Sequence, residues 1–290
     1  MNNRYTAVLA TILLSFCDAL VDYSINKFNF YKVLLLTSIT AFCFHLAWGL
    51  TFGIEITLTS IPYIIAKSIL GLAGYICFAK SLKYLPIGLI GLIETSNLFI
   101  TLIIDALLGY ISITPIFLLM FGLFIFSIML FSYDCISGTN VCIKNLKPIG
   151  YILILCSVFF YVSMPYWIKV TNNLGANAIA INLGYYILAI PYFAYKYFSQ
   201  KEHKDCNVKS QWWNNLIFLS ISVGIFECSY FIAETFSFIN DTPTIVMLIE
   251  QVRIFLLFGL SVLFKMDTFT LKKSISLLLG IISVIGIYYQ

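Results

Sequence analysis

Nine ionisable side chains interrupt otherwise apolar runs of this chain, and they are where its chemistry must lie. They are Asp18, Asp22, His45, Glu94, Asp105, Glu227, Glu234, Glu250 and Arg253. An ionised group at the centre of a bilayer costs at least about 2.5–3.5 kcal/mol on insertion scales, so such residues turn toward a protein interior and serve as functional candidates. Glu94 is flanked by Thr95, Ser96 and Asn97 in a run of Ile and Leu. It reads as a solute or proton contact, or else as a protonated glutamate bonded to a neighbouring helix. Glu227 and Glu234 are seven residues apart, two turns along one helix face, with Tyr230 and Phe231 between them. They read as an acidic, aromatic pathway, or as one end contact plus a single deep acid. Glu250 and Arg253 stand at i, i+3 and can pair along their own helix, leaving Gln251 to face a cavity. An Arg253 that faced the solute instead would hold a carboxylate or phosphate with two hydrogen bonds.

The expected solute contacts are therefore Glu94, Asn97, Tyr230, Glu234, Glu250 and Gln251. The expected proton-coupling groups are Asp18, Glu94 and Glu234. Asp22 and Asp105 fall near span ends and are expected to be solvated, and His45 reads as a hydrogen-bonded packing residue. Seven acids against one Arg and one His make the interior electronegative. That favours a cationic or zwitterionic solute, or proton antiport, over a polyanion.

These groups need long apolar elements to carry them. The chain has 290 residues, is 61% hydrophobic and 10% charged, and has a mean hydropathy of +0.96. A soluble domain averages about 45–50% apolar and about 25% charged, so lipid must be the solvent for much of this one. About 20 apolar residues span the hydrocarbon as a helix. Spans are expected near 5–25, 31–52, 61–80, 86–108, 114–133, 148–169, 175–198, 213–238, 243–264 and 270–289. Pro62, Pro86, Pro115, Pro148 and Pro243 mark span starts, where a missing N–H costs nothing. Pro165 and Pro191 fall inside spans and predict kinks. The N-terminal stretch reads as a retained first span rather than a cleaved leader.

The two halves resemble one another. GLAGYICFAKSLKYLPIGLIGLIETSNLFITLIIDALL in the first compares with CSYFIAETFSFINDTPTIVMLIEQVRIFLLFGLSVLF in the second. An offset of 157 residues takes Pro86 to Pro243 and Glu94 to Gln251 (243 − 86 and 251 − 94). Two similar halves with five spans each must insert in opposite directions. The fold expected is an all-α membrane protein of ten helices, a 5+5 inverted repeat around a central cavity. Its parts are residues 1–133, a connection at 134–147, and residues 148–290.

Thirteen of the 17 Lys and Arg fall in alternate connections, and Arg4, Lys67 and Lys169 are assigned to the opposite face. The positive-inside rule then places both termini outside the cytoplasm. Cys17, Cys43, Cys77, Cys156 and Cys228 lie within apolar runs and read as small core residues. Trp48, Trp167 and the Trp212-Trp213 pair lie near span ends, as interface anchors do.

FAKSLKYLPIGLIGLIETSNLFITLIIDALLGY resembles the drug/metabolite transporter superfamily, in its EamA-type ten-helix branch. Lys83-Tyr84-Leu85-Pro86 matches the family's basic-aromatic-Leu-Pro run, whereas Gly109-Tyr110 stands where Gly-Glu is usual. The specific motifs cover about forty residues, although the layout covers most of the chain. The resemblance implies a secondary transporter of a small metabolite working by alternating access, with proton coupling or exchange both open. It implies amino acids, nucleotide-type metabolites or other small solutes without choosing among them, and termini on the cytoplasmic side, against the lysine bias. The favoured solute is an amino acid or a cationic or zwitterionic metabolite such as a sulfonium or amine. The expected setting is multi-pass in the inner membrane of a bacterial cell. The expected partners are the solute and the bilayer, with a homodimer open and no nucleic acid, since no basic face is clustered. No cofactor or metal is expected, and no Walker loop, HExxH or GxSxG is present to suggest an enzyme. The other readings are a membrane enzyme acting on a lipid or isoprenoid substrate, and a membrane scaffold that transports nothing.

Overall fold

The computed structural model describes residues 4–81, 84–85, 90, 93–94, 96–138, 148–199, 210–253, 255–256 and 270–288. Ten α-helices occur among them. They are α1 (Arg4–Lys27), α2 (Phe30–Phe52), α3 (Ile61–Ser81), α4 (Ser96–Leu107), α5 (Pro115–Gly138), α6 (Pro148–Asn173), α7 (Ala178–Ser199), α8 (Ser210–Asn240), α9 (Pro243–Gln251) and α10 (Leu271–Tyr288). Pro86, Thr95, the connection at 139–147 and the stretch 257–269 lie outside the described residues, as do the side chains of Asp18, Asp22, Trp212 and Trp213.

Local chemistry sets the helix starts. Asn29, Thr114, Asn177 and Thr270 each accept a hydrogen bond from a backbone N–H two or three residues on, at the starts of α2, α5, α7 and α10. Such side chains satisfy donors that the first helical turn leaves open. Pro115, Pro148 and Pro243 open their helices, while Pro165 and Pro191 lie within α6 and α7. The end of α4 is equally specified. Gly109 has φ 70°, its N–H bonds the Ala106 carbonyl at 3.2 Å, and the Tyr110 N–H bonds the Asp105 carbonyl at 2.8 Å. This paired closure needs a left-handed residue, which glycine supplies without steric cost.

Among the described residues, five helices are long and apolar enough to cross a membrane: α2, α3, α6, α7 and α8 from Asn215 on. Shorter apolar helical runs cover Tyr5–Cys17, Ser96–Leu107 and Pro115–Phe131. Large apolar side chains such as Leu50, Leu58, Leu107 and Phe159 are well exposed, as lipid-facing positions are. Cys17 and Cys228 are buried and Cys77 is half-buried, but Cys43 and Cys156 are exposed, against the expectation that all five are core residues. A thiol is small and weakly polar, so an outward position on an apolar helix is tolerated.

The described chain forms two compact units, and each takes segments from both halves of the sequence. The first unit comprises Met1–Leu72 and Tyr166–Ile239. Within it α2 packs along α7. A methyl group at Gly184 would lie 2.2 Å from Ile64 Cγ2, so α7 and α3 approach closely there. At Gly224 the same addition would lie 2.7 Å from Thr40 Cβ on α2. Small residues permit such contacts between membrane helices. The turns are tied as well: Asn177 Nδ2 donates to the Gly53 carbonyl at 3.1 Å, and its backbone N–H donates to that of Glu55 at 3.1 Å.

The second unit comprises Ala73–Pro165 and Asn240–Gln290. There α5 packs along α10, and α4 meets α9. Ser127 Oγ donates to the Ser276 carbonyl at 2.8 Å, and Ser276 Oγ returns a bond to the Ser127 carbonyl. Ser157 Oγ donates to the Gly74 carbonyl at 3.0 Å, tying α6 to α3. In the pairs α2/α7, α4/α9 and α5/α10 the partner lies five helices further along, counting the helices of the described residues.

Candidate functional site

The expected site residues divide between the units. Tyr230 and Glu234 belong to the first; Glu94, Asn97, Glu250 and Gln251 belong to the second.

In the second unit two carboxylates are held by specific partners. Glu94, two residues before α4, accepts from Arg253 Nη2 at 2.9 Å. Arg253 therefore reaches across to a residue 159 positions away in the chain, whereas its spacing suggests Glu250 on its own helix. The pair sets a buried carboxylate against a guanidinium that lipid cannot solvate. Asp105 also corrects its expectation. It is 0% exposed rather than solvated, and its Oδ2 accepts from the Thr244 N–H at 2.8 Å and from Thr244 Oγ1 at 2.7 Å. Thr242 makes no side-chain cap at the start of α9. The cap comes from α4 instead, where a carboxylate satisfies an open N–H and meets the positive end of the helix dipole. Nearby, Thr101 Oγ1 donates to Met247 Sδ at 3.1 Å. Asn97 and Gln251 are buried and Glu250 is half-buried. Asn97 Oδ1 accepts no hydrogen bond among the described residues.

The first unit holds a richer polar cluster, centred on a residue that the charge pattern assigns to a loop. Lys67 lies two turns inside α3 and is 2% exposed. Removing it from the outer-face count leaves Arg4 and Lys169 there and sharpens the lysine asymmetry. Its Nζ donates to Asn182 Oδ1 on α7 at 3.4 Å. Asn182 Oδ1 also accepts from Thr235 Oγ1 at 3.1 Å, and Asn182 Nδ2 donates to the Phe231 carbonyl at 3.0 Å. One buried amide thus ties α3 and α8 to α7. On α8, Tyr230 Oη donates to Glu234 Oε1 at 2.6 Å, and Tyr186 Oη of α7 donates to Glu227 Oε1 at 3.2 Å. His45 on α2 is fully buried; its Nδ1 lies 3.0 Å from the Ala41 carbonyl and its ring 5.1 Å from that of Tyr186. Its Nε2, and Ser68 Oγ on the residue after Lys67, have no hydrogen-bond partner among the described residues.

Opposite charges and neutral hydrogen-bonding groups share one apolar surrounding. Among the described residues no three His, Cys, Asp or Glu side chains are grouped to hold a metal.

The fold has a solved counterpart. One crystal structure, described only as that of a protein, aligns over 98% of this chain and 97% of its own with a TM-score of 0.76 and 15% sequence identity. A likeness at that identity establishes shared architecture and says nothing of activity. No family model matches the chain, and no curated protein matches it.

Lys67 and Asn182 are the residues that sequence reasoning missed. Lys67 stands in IPYIIAKSILGLAG and Asn182 in AIAINLGYYILAI. A lone lysine or amide inside an apolar run was the available signal. Assigning Lys67 by its sign to a loop concealed it.

Proposed function

We propose that this chain is a multi-pass membrane protein that moves a small metabolite by alternating access, as a secondary transporter of the drug/metabolite type. The observation that carries this reading is the Lys67–Asn182–Thr235 cluster, with Glu227 and Glu234 on the same helix as Thr235, set among helices apolar enough to cross a bilayer. Ionisable groups at such positions are expensive and commonly line solute or proton pathways. The pairing of α2 with α7, α4 with α9 and α5 with α10 supports a 5+5 inverted repeat. A pseudo-twofold axis in the membrane plane brings each near-axis helix against its own equivalent in the other repeat. Residues 1–133 and 148–290 would be those repeats, and the compact units would be mixed bodies drawn from both.

The solute favoured is an amino acid or a cationic or zwitterionic metabolite. The proton-coupling groups proposed are Asp18, Glu94 and Glu234, with Glu94 also paired to Arg253. The test is uptake by proteoliposomes holding the purified chain, challenged with a panel of amino acids, amines and sulfonium compounds, with and without a pH gradient. Uptake above empty vesicles for at least one compound is expected. A chain that moves none of them under any gradient is not this kind of transporter.

A further inference from the structure

We propose that Cys77 and Cys156 are a reversible redox pair, two thiols that a lipid-soluble hydroperoxide converts to a disulfide stapling α3 to α6. Both residues belong to the second unit and stand as free thiols. The inference is independent of the transporter reading.

The register of the two helices sets the thiols opposite one another, because two tight contacts bracket them. At Gly74 of α3 an added Cβ would lie 3.2 Å from Phe160 Cβ of α6, and Ser157 Oγ donates to the Gly74 carbonyl at 3.0 Å. At Gly150 of α6 an added Cβ would lie 2.8 Å from Tyr84 Cβ, just past the end of α3. Residue numbers rise along one helix as they fall along the other, so the helices run antiparallel. Cys77 is three residues on from Gly74, and Cys156 is four residues back from Phe160. Residues three and four apart share a helix face. The cysteine pair therefore repeats the Gly74–Phe160 juxtaposition one turn along, between the two contacts. Phe78, the neighbour of Cys77, packs against the apolar cluster that holds Ile154 of α6, on the same seam. A disulfide needs Cβ atoms about 3.5–4.5 Å apart. The separations of 3.2 and 2.8 Å show backbones packed at least that closely on both sides of the pair.

Exposure assigns the roles. Cys156 is exposed and Cys77 half-buried, so Cys156 meets the oxidant and Cys77 resolves it. Ile152, Leu155 and Phe159 beside Cys156 are exposed too, and so apolar a surface admits a lipid hydroperoxide. The Cys156 thiolate attacks the terminal peroxide oxygen and the O–O bond breaks. The departing alkoxide takes up the proton that the thiol released, leaving an alcohol and a Cys156 sulfenic acid. The Cys77 sulfur then attacks the sulfenic sulfur; the S–S bond forms, the S–O bond breaks, and water leaves with the Cys77 proton. Two thiols lose two electrons and two protons, and the hydroperoxide gains them as alcohol and water. A thiol reductant restores both cysteines by exchange.

The test treats the full chain, purified in mixed lipid–detergent micelles, with cumene hydroperoxide, and maps its cysteines by mass spectrometry of a non-reducing digest. A peptide joining Cys77 to Cys156 should hold most of the oxidised cysteine and should vanish with dithiothreitol. In C77S the reaction should stop at the sulfenic acid, so dimedone should label Cys156 at least about tenfold more than in wild type. In C156S, Cys77 should remain a thiol. Oxidised wild type should melt at least about 5 °C above the reduced protein, because the bridge closes a long loop, and C77S/C156S should show no such shift. The map of the wild-type chain decides the matter even where a variant fails to fold. Overturning results are Cys156 joined equally to other cysteines, or no Cys77–Cys156 peptide in protein whose two thiols N-ethylmaleimide labels.

Discussion

The two units handle buried charge in opposite ways. In the unit built on α5 and α10, Glu94 meets Arg253 at 2.9 Å, and Asp105 caps α9 through both the N–H and the hydroxyl of Thr244. Both of these carboxylates meet a strong, short-range donor on another segment. In the unit built on α2 and α7, Lys67 rests on a single amide oxygen at 3.4 Å, and Glu227 and Glu234 accept from tyrosine hydroxyls. Charges matched to fixed partners stiffen a fold. A charge that is only partly matched still has binding capacity to offer. The comparison teaches that intramembrane acids in one chain need not share one purpose: Glu94 and Asp105 join separate segments of the second unit, whereas Glu227 and Glu234 of the first accept from tyrosine hydroxyls.

The sharpest way to break this contrast is to unpair Arg253. R253M leaves Glu94 buried without its cation, and stability should fall by about 3–5 kcal/mol in detergent unfolding, as it does when one member of a buried pair is removed. The E94Q/R253M double substitution should recover most of that loss. Simple addition of the two single losses would show that the pair holds nothing. Next in size is D105A, which strips the Thr244 N–H and hydroxyl of their acceptor. A loss of about 2–3 kcal/mol is expected, with D105N milder because an amide oxygen can still accept. A wild-type melting curve for D105A would remove the carboxylate from its capping role.

The first unit should respond the other way. K67M deletes a poorly served cation and fills its place with a flexible apolar chain. Its stability should stay within about 1 kcal/mol of wild type, because what it loses is one long hydrogen bond to an amide oxygen that Thr235 Oγ1 still serves. Uptake should nevertheless collapse, and a K67M protein that is both unstable and active would reverse the comparison. The smallest effect belongs to Y186F, which removes the donor to Glu227 and should cost about 1 kcal/mol. Equal losses from Y186F and D105A would mean that the two units bind their carboxylates alike.

Much of the fold was legible one residue at a time. Asn29, Thr114, Asn177 and Thr270 announce helix starts through chemistry that acts within three residues. Pro115, Pro148 and Pro243 do the same, and apolar run length places the helices between them. Glu94 was legible as an interior group, because lipid excludes charge whatever the topology. Its partner was not. Spacing could point Arg253 to Glu250, since i, i+3 is the kind of relation a single helix can reveal, but not to Glu94, which lies 159 residues away. Asp105 looked solvated because its place near a span end was known and the start of α9 beside it was not.

The amino-acid order by itself determined where helices begin and end and which side chains lipid would refuse. Those outcomes follow from short-range hydrogen bonding and from the free energy of transfer into hydrocarbon. Only the tertiary structure decided that Lys67 lies on Asn182, that Glu94 takes Arg253 and that Asp105 caps α9. Each joins residues more than a hundred positions apart, and electrostatic partnership depends on distance in space, which helix packing alone sets.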